Sequence, residues 1–266
     1  MTDTPLTRLQ QINGLQQAIE THGKLSADVL KKITYKFRLE WNYYSNRIEG
    51  NTLTLDETRA VMVNNLNIKN KSFREVAEMR GHDEVVVQAL SMGRGELNIS
   101  EKRIKDIHRA IIHEEDPAKR REVGTWKKAP NYLYNYRGER FDFTPPEEVP
   151  DAMHKLINWL SAEREKIQRK TRDALHPAIL AFRFQLQYVS IHPFYDGNGR
   201  TARILTNLIL IAYGYPPVYV KDEDCEAYSR YLADIQAYGE NPTLFLDFMC
   251  NLLIRSQQTM LEPGLS

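Results

Sequence analysis

The sequence predicts an all-α protein interrupted by one short β-hairpin. Apolar residues recur at i, i+3 and i+4 in nearly every informative window, beginning with Leu9, Ile12, Leu15 and Ile19. Only Asn131 to Phe143 switches to period two: Tyr132, Tyr134 and Tyr136 alternate with polar residues, and Phe141 and Phe143 alternate again. Helix start signals are frequent, among them two S/T-x-x-E capping boxes.

In chain order, a second helix runs from an N-cap at Ser26 through Leu30, Ile33, Phe37 and Trp41 to about Ile48, where Gly50 supplies a stop. Thr54 with Glu57, and Ser72 with Glu75, open the next two helices; the second carries Val76, Met79, Val86 and Leu90. Ser100 opens a helix with Ile104, Ile107, Ile111 and His108 on its inner face, and Asp116-Pro117 is expected to end it. The hairpin follows, with Gly138-Glu139 as a two-residue turn and Pro145-Pro146 as its terminator. A helix resumes through Val149, Met153, Leu156 and Leu160. Four more are expected at roughly 176–191, 200–213, 224–237 and 243–259. The first two of these are apolar around much of their circumference, which places them at the centre. Gly93, Gly95 and Asn98 mark a soft boundary, dividing an N-terminal helical region (1–95) from a core domain (96–266).

Composition excludes several classes. The 266 residues hold 36 Lys+Arg against 35 Asp+Glu, so net charge promises neither a nucleic-acid nor a membrane partner. No stretch approaches the roughly 20 apolar residues that cross a bilayer, and the first residues lack a secretory pattern; a cytoplasmic protein is expected. Cys225 and Cys250 cannot form a disulfide framework or a zinc site on their own and read as structural.

Chemistry concentrates in the loop His192-Pro193-Phe194-Tyr195-Asp196-Gly197-Asn198-Gly199-Arg200-Thr201-Ala202-Arg203. Gly197-Asn198-Gly199 permits positive φ and exposes backbone N–H groups, and the helix expected from Arg200 adds its positive end: an anion cradle suited to phosphates. Arg200 and Arg203 share a helical face, and Arg200 is placed to clamp a phosphate. Asp196 offers a hard oxygen to Mg²⁺, and His192 is the candidate general base. Singly, a His-Pro or a Gly-x-Gly is an ordinary turn. Base, metal ligand, cradle and two arginines within one short stretch are far more specific.

This stretch resembles the signature of the Fic family, HPFx[D/E]GNGRxxR, and residues 192–203 match every fixed position. The resemblance covers roughly residues 70–255; the hairpin, Pro-Pro and helix of 129–160 look like the family's flap and the helix that follows it. It implies a Fic-type helical bundle carrying one short hairpin. It also implies an adenylyltransferase that moves AMP from ATP to a Ser, Thr or Tyr hydroxyl of a protein and releases pyrophosphate. His192 would deprotonate the hydroxyl and Asp196 would hold Mg²⁺. Gly197, Asn198, Gly199 and Thr201 would cradle the phosphates, with Arg200 and Arg203 at the β/γ end. Phe194 is expected to point inward as an anchor. For the base, the resemblance suggests Tyr228 and Gln236, with Tyr231 nearby; Gln236 stands where the family often has Asn. The flap, 129–143, would dock the target by strand addition. Between Lys119 and Arg140 seven Lys/Arg and two Glu give a local +5, read as a solvated basic face or, less favoured, as a nucleic-acid surface with Trp126 and the tyrosines stacking bases.

Ser45-x-x-x-Glu49-Gly50-Asn51 resembles the family's inhibitory-helix motif, here on an N-terminal helix at about 26–50. Ser45, Glu49 and Asn51 would be the inhibitory residues, with Glu49 paired to Arg203 so that the arginine is withheld from the γ-phosphate. Some relatives of this class also use that acid to remove AMP. Self-modification and homodimerisation stay open. Two rival readings remain: a relative that transfers UMP, phosphate or phosphocholine, and a helical regulatory module that binds DNA. The near-zero net charge and the lack of a recognition-helix pattern disfavour the second.

Overall fold

The computed structural model describes residues 4–21, 26–239 and 241–262, and the first three and last four residues of the expected domains lie outside it. Among the described residues there are eleven helices and one two-stranded antiparallel sheet. The first four helices are α1 (Thr4–Thr21), α2 (Ala27–Arg47), α3 (Leu55–Met62) and α4 (Phe73–Leu90). α5 (Glu101–Ile111) and the four-residue α6 (Pro117–Arg120) precede the strands β1 (Tyr132–Tyr134) and β2 (Arg140–Asp142). The remainder is α7 (Val149–Arg169), α8 (Pro177–Ile191), α9 (Asn198–Ala212), α10 (Cys225–Tyr238) and α11 (Thr243–Leu261).

Local chemistry explains most of these boundaries. The Ser26 hydroxyl accepts from Val29 N–H at the start of α2, and Thr54 and Ser72 both make reciprocal capping boxes, with Glu57 and Glu75. Gly50, at φ 87°, turns the chain out of α2. Two expectations need correction. α5 ends at Ile111 because Ile112 is already extended, and Asp116 instead caps α6. The hairpin connection spans Asn135–Glu139 rather than two residues, because the Asn135 carboxamide oxygen accepts from both Arg137 and Glu139 N–H (each 2.9 Å) and builds a wider loop. Tyr132 and Tyr134 face solvent, and Leu133 and Phe141, paired across the strands, face the protein.

α8 and α9 pack on each other at the centre, and nearly every α9 residue is buried, including the polar ones at its start. A continuous apolar cluster extends from Ile12 on α1 to Ile254 on α11 and includes Phe182, Phe184, Leu205 and Ile209. α1 lies along α11, α7 along α8, and α2 and α5 flank α4. Cys250 is buried, with its thiol pushed up to about 12 by burial, and Cys225 bonds the Lys221 carbonyl, so both behave as structural residues.

α4 and α5 meet at backbone contact: a Cβ on Gly81 would fall 1.7 Å from the Ala110 carbonyl oxygen. Gly81→Ala is therefore expected to cost about 3 kcal/mol and lower Tm by roughly 6–12 °C. Gly14→Ala, where a Cβ meets nothing within 4 Å, should raise stability by about 1 kcal/mol in the same thermal melts.

Candidate active site

The signature loop is built from the end of α8 to the start of α9. His192 closes α8 in the left-handed region at φ 53°, an unfavourable conformation for a residue with a Cβ and one that surrounding contacts must hold. Phe194, fully buried, is that anchor: it stacks on His108 (3.8 Å between ring centroids) and leans on Trp126 (5.0 Å). His108 fixes the other end. Its Nδ1 accepts from Gly124 N–H (2.9 Å), so Nε2 carries the proton and donates to the Asp196 carbonyl (2.9 Å). Burial holds His108 down to about 4.

α9 starts at Asn198, two residues earlier than expected, with Gly197 as its left-handed N-cap at φ 72°. Gly197 alone of the two loop glycines has positive φ. Gly199 is helical, and clearance explains it: a Cβ there would lie 2.4 Å from Glu49 Oε1. The Glu49 carboxylate thus lies against the N-terminal turn of α9, where an anion is favoured.

Arg203 donates through Nη2 to Glu49 Oε1 (2.7 Å) and to the Ser45 carbonyl (2.8 Å), and through Nε to Ser45 Oγ (3.2 Å). Arg200 is buried and pairs with Glu78 Oε2 at 2.6 Å. Arg74 joins Glu78 (3.1 Å) to the half-exposed Asp196 carboxylate (3.2 Å). Asn51 donates to the Glu75 carbonyl (3.0 Å), tying the end of α2 to α4. Glu49, Asn51, Arg74, Glu78, Asp196 and Arg200 line one polar cavity of about 250 Å³.

A larger cleft, about 570 Å³ and mostly apolar, lies between the hairpin (Leu133, Tyr134, Tyr136) and α10 (Leu232, Ala233, Gln236). Gln236 also donates to the Val189 carbonyl, three residues before His192.

Several predicted residues point elsewhere than expected. The Asn198 side chain faces back into the loop, accepting from Phe194 N–H (2.9 Å) and donating to the Phe194 carbonyl (2.8 Å). The Thr201 hydroxyl bonds the Gly197 carbonyl (2.9 Å) inside the first turn. Tyr228 is buried, its hydroxyl accepting from Gln185 (2.7 Å), and is not on the cleft wall. Tyr231 packs on Phe248. Residues unforeseen from sequence complete the site: Arg74, Glu78, Lys127 and Asn131. Glu78 and His82 lie four apart beside Val76 and Met79 on the buried face of α4, and polar groups inside an apolar stripe were the available signal.

Comparison with known proteins accords with this geometry. The profile of the Fic/DOC family matches residues 98–210, which hold the loop, both its flanking helices and the hairpin. The chain belongs to the Fic/DOC family. It is 34% identical over 194 residues to the protein adenylyltransferase Fic of Nematostella vectensis, a match covering 71% of this chain and 41% of that protein. Among solved structures, a Fic-domain signalling protein from Bacteroides thetaiotaomicron superposes with a TM-score of 0.83 at 29% identity, covering 95% of each chain. A fragment of Fic-1 from C. elegans gives 0.79 at 26% identity, covering 97% of this chain and 72% of that one. The chain spans about two fifths of the length of the Nematostella relative. Among the described residues no helix of this Fic protein is long and apolar enough to cross a membrane.

The site sets a pH dependence of stability. Burial, then the charge of Lys127, holds His192 down to about 3 despite the opposing Asp196. His82 is held to about 3 by burial and then by Arg200 and Arg203. A histidine depressed in the fold binds its proton preferentially when unfolded, so stability is complete above about pH 6.5 and falls as pH drops toward the folded values. Urea unfolding at pH 7 and pH 5 should show a loss of at least about 2 kcal/mol at the lower pH. His82→Asn should reduce that loss.

Proposed function

We propose that this protein transfers AMP from ATP to a Ser, Thr or Tyr hydroxyl of a protein and releases pyrophosphate. The observation that carries the reading is a polar cavity walled by the signature loop, together with an apolar cleft bordered by the hairpin whose Phe143 covers His192. The polar one, walled by Asp196, Arg200 and the first turn of α9, suits phosphates; the apolar cleft against the hairpin suits a purine, with Gln236 on its wall. The names of the relatives support the same chemistry.

In the transfer, the target hydroxyl oxygen bonds to the α-phosphorus as the bond from that phosphorus to the β-bridging oxygen breaks. The electron pair leaves with pyrophosphate, and the hydroxyl proton passes to His192. Arg200, Arg203 and the backbone N–H groups of α9 hold the phosphates in line. Among the described residues no group of three or more His, Cys, Asp or Glu converges. The half-exposed carboxylate of Asp196 on the cavity wall fits Mg²⁺, which takes one or two carboxylates and draws its other ligands from phosphates and water. Bound there, the ion would neutralise phosphate charge. The exposed tyrosine face of the flap, 129–143, receives the target as an added strand, with self-modification as the variant in which the target is this chain.

Glu49 is the brake in this reading. Its carboxylate takes the helix end and the Arg203 fork that a γ-phosphate would use, so the N-terminal region (1–95) regulates chemistry done by the core (96–266). Released, the same acid is positioned to activate water and remove AMP from a modified target.

Glu49→Gly should raise transfer of label from ATP by roughly 5–150-fold, the span of a 1–3 kcal/mol coupling. Adding His192→Ala should abolish it. Equal transfer by wild type and Glu49→Gly would reject the brake, and no transfer by either with any target lysate would reject the activity. Donor choice is read by thermal shift with ATP, UTP and CDP-choline, because a donor at 100 times its Kd adds about 2.7 kcal/mol.

A further inference from the structure

We propose that Lys127 and Asn131 are positioning residues that keep the imidazole proton of His192 on Nε2 until the Asn131 carboxamide turns. Two carboxamide nitrogens face Nδ1 of His192: Asn131 Nδ2 at 2.8 Å and Asn198 Nδ2 at 3.1 Å. In the resting arrangement both amides are held with their nitrogens, not their oxygens, toward the ring. The Asn131 oxygen accepts from the Lys127 ammonium at 2.6 Å, and its nitrogen also donates to the Phe194 carbonyl (3.1 Å). Asn198 is stitched at both ends to the Phe194 backbone. A ring nitrogen that meets only N–H donors must be the lone-pair nitrogen. Neutral imidazole carries one N–H, so it lies on Nε2, which among the described residues has no hydrogen-bond partner.

The surroundings fix the ring and leave the proton as the variable. Phe143, just past β2, stacks on the imidazole at 3.9 Å and 11°. Lys127 is 4% exposed, and among the described residues it forms no ion pair; its ammonium is spent on Asn131, with the Ile191 carbonyl at 3.5 Å. Burial pushes this lysine down to about 8, the cost of placing a cation there. The charged groups acting on His192 are Lys127 and Asp196.

The consequence rests on the reading that His192 takes the hydroxyl proton. An Nε2 that already holds hydrogen cannot accept another while the ring stays neutral. Turning the Asn131 amide puts its oxygen against Nδ1; Nδ1 takes a proton from water, Nε2 returns one, and the Nε2 lone pair is free. The turn also sets the Asn131 N–H₂ against the Lys127 ammonium, donor against donor, so Lys127 biases the site toward the resting form. Asn131 immediately precedes β1, and its carbonyl accepts from Phe143 N–H (3.2 Å). A target strand added to the flap therefore acts on the neighbouring residue, and docking arms the base. This control shares no atom with the Glu49–Arg203 pair.

Histidine ¹⁵N shifts of the whole protein at pH 7 read the tautomer directly, with the His192 signals identified by their loss in His192→Gln. The expected pattern is a protonated Nε2 and an unprotonated Nδ1 in wild type. Asn131→Asp, whose carboxylate only accepts, should invert it, and Lys127→Met should populate both forms. In a Glu49→Gly background, Asn131→Asp should raise kcat and move the acid limb of the pH profile up by about one unit, because a carboxylate beside imidazole favours its protonation. Asn131→Leu should do neither. A wild-type His192 protonated on Nδ1, or an unchanged tautomer in Asn131→Asp, overturns the proposal. The expected tautomers without AMP transfer by any variant would uphold it and count against the activity alone.

Discussion

Two guanidinium groups buried three residues apart at the start of α9 are the constraint from which the site follows. A desolvated cation is costly unless a carboxylate and further hydrogen bonds meet it. Arg200 is met by Glu78 from α4, and Arg203 by Glu49 and Ser45 from the end of α2. These two pairs dictate where α2 and α4 lie against the central helix. The polar cavity between the three helices is what remains when four charged side chains must be close without filling the space. The groups that hold the N-terminal helices in place are therefore the same groups that a phosphate would recruit.

The loop is held by a separate set of contacts, and these are apolar and amide in character. Phe194 is enclosed by His108 and Trp126, and His192 is covered by Phe143, so aromatic packing from α5, the basic segment and the hairpin converges on one turn. Asn198 fastens both backbone groups of Phe194. The strained φ of His192 is sustained by this enclosure.

What the sequence made legible was local. Capping boxes, the change of period at the hairpin and the contiguous signature were all readable, since each is written within a dozen residues. Ser45 and Glu49 were legible through the resemblance to the inhibitory motif, and their spacing of one helical turn added that they share a face. The direction of side chains in the signature was not: Asn198 and Thr201 look alike as phosphate ligands or as loop stitches, and the choice depends on where the Phe194 and Gly197 backbones lie. Glu78, Lys127 and Asn131 were missed for another reason. Glu78 comes from α4, 122 residues from Arg200, and Asn131 from the hairpin approach, 61 residues from His192; Lys127 enters through Asn131, and tertiary packing, α4 on α9 among it, brings these groups to the loop. The hairpin turn was misread because a side chain, Asn135, competes for the backbone N–H groups.

Glu49 lies just beyond the C-terminus of α2, where that helix's own carbonyl dipoles oppose a negative charge. It is locally frustrated in its own helix and satisfied only by the opposite pole of another. The contact is thus a junction between two helix ends, one negative and one positive, with the carboxylate side chain 29% open to water. Mobile ions reach such a junction and screen it far more than the Arg200–Glu78 pair, whose side chains are only 4% and 9% exposed. Ionic strength is accordingly a dial on one of these two ion pairs and not on the other.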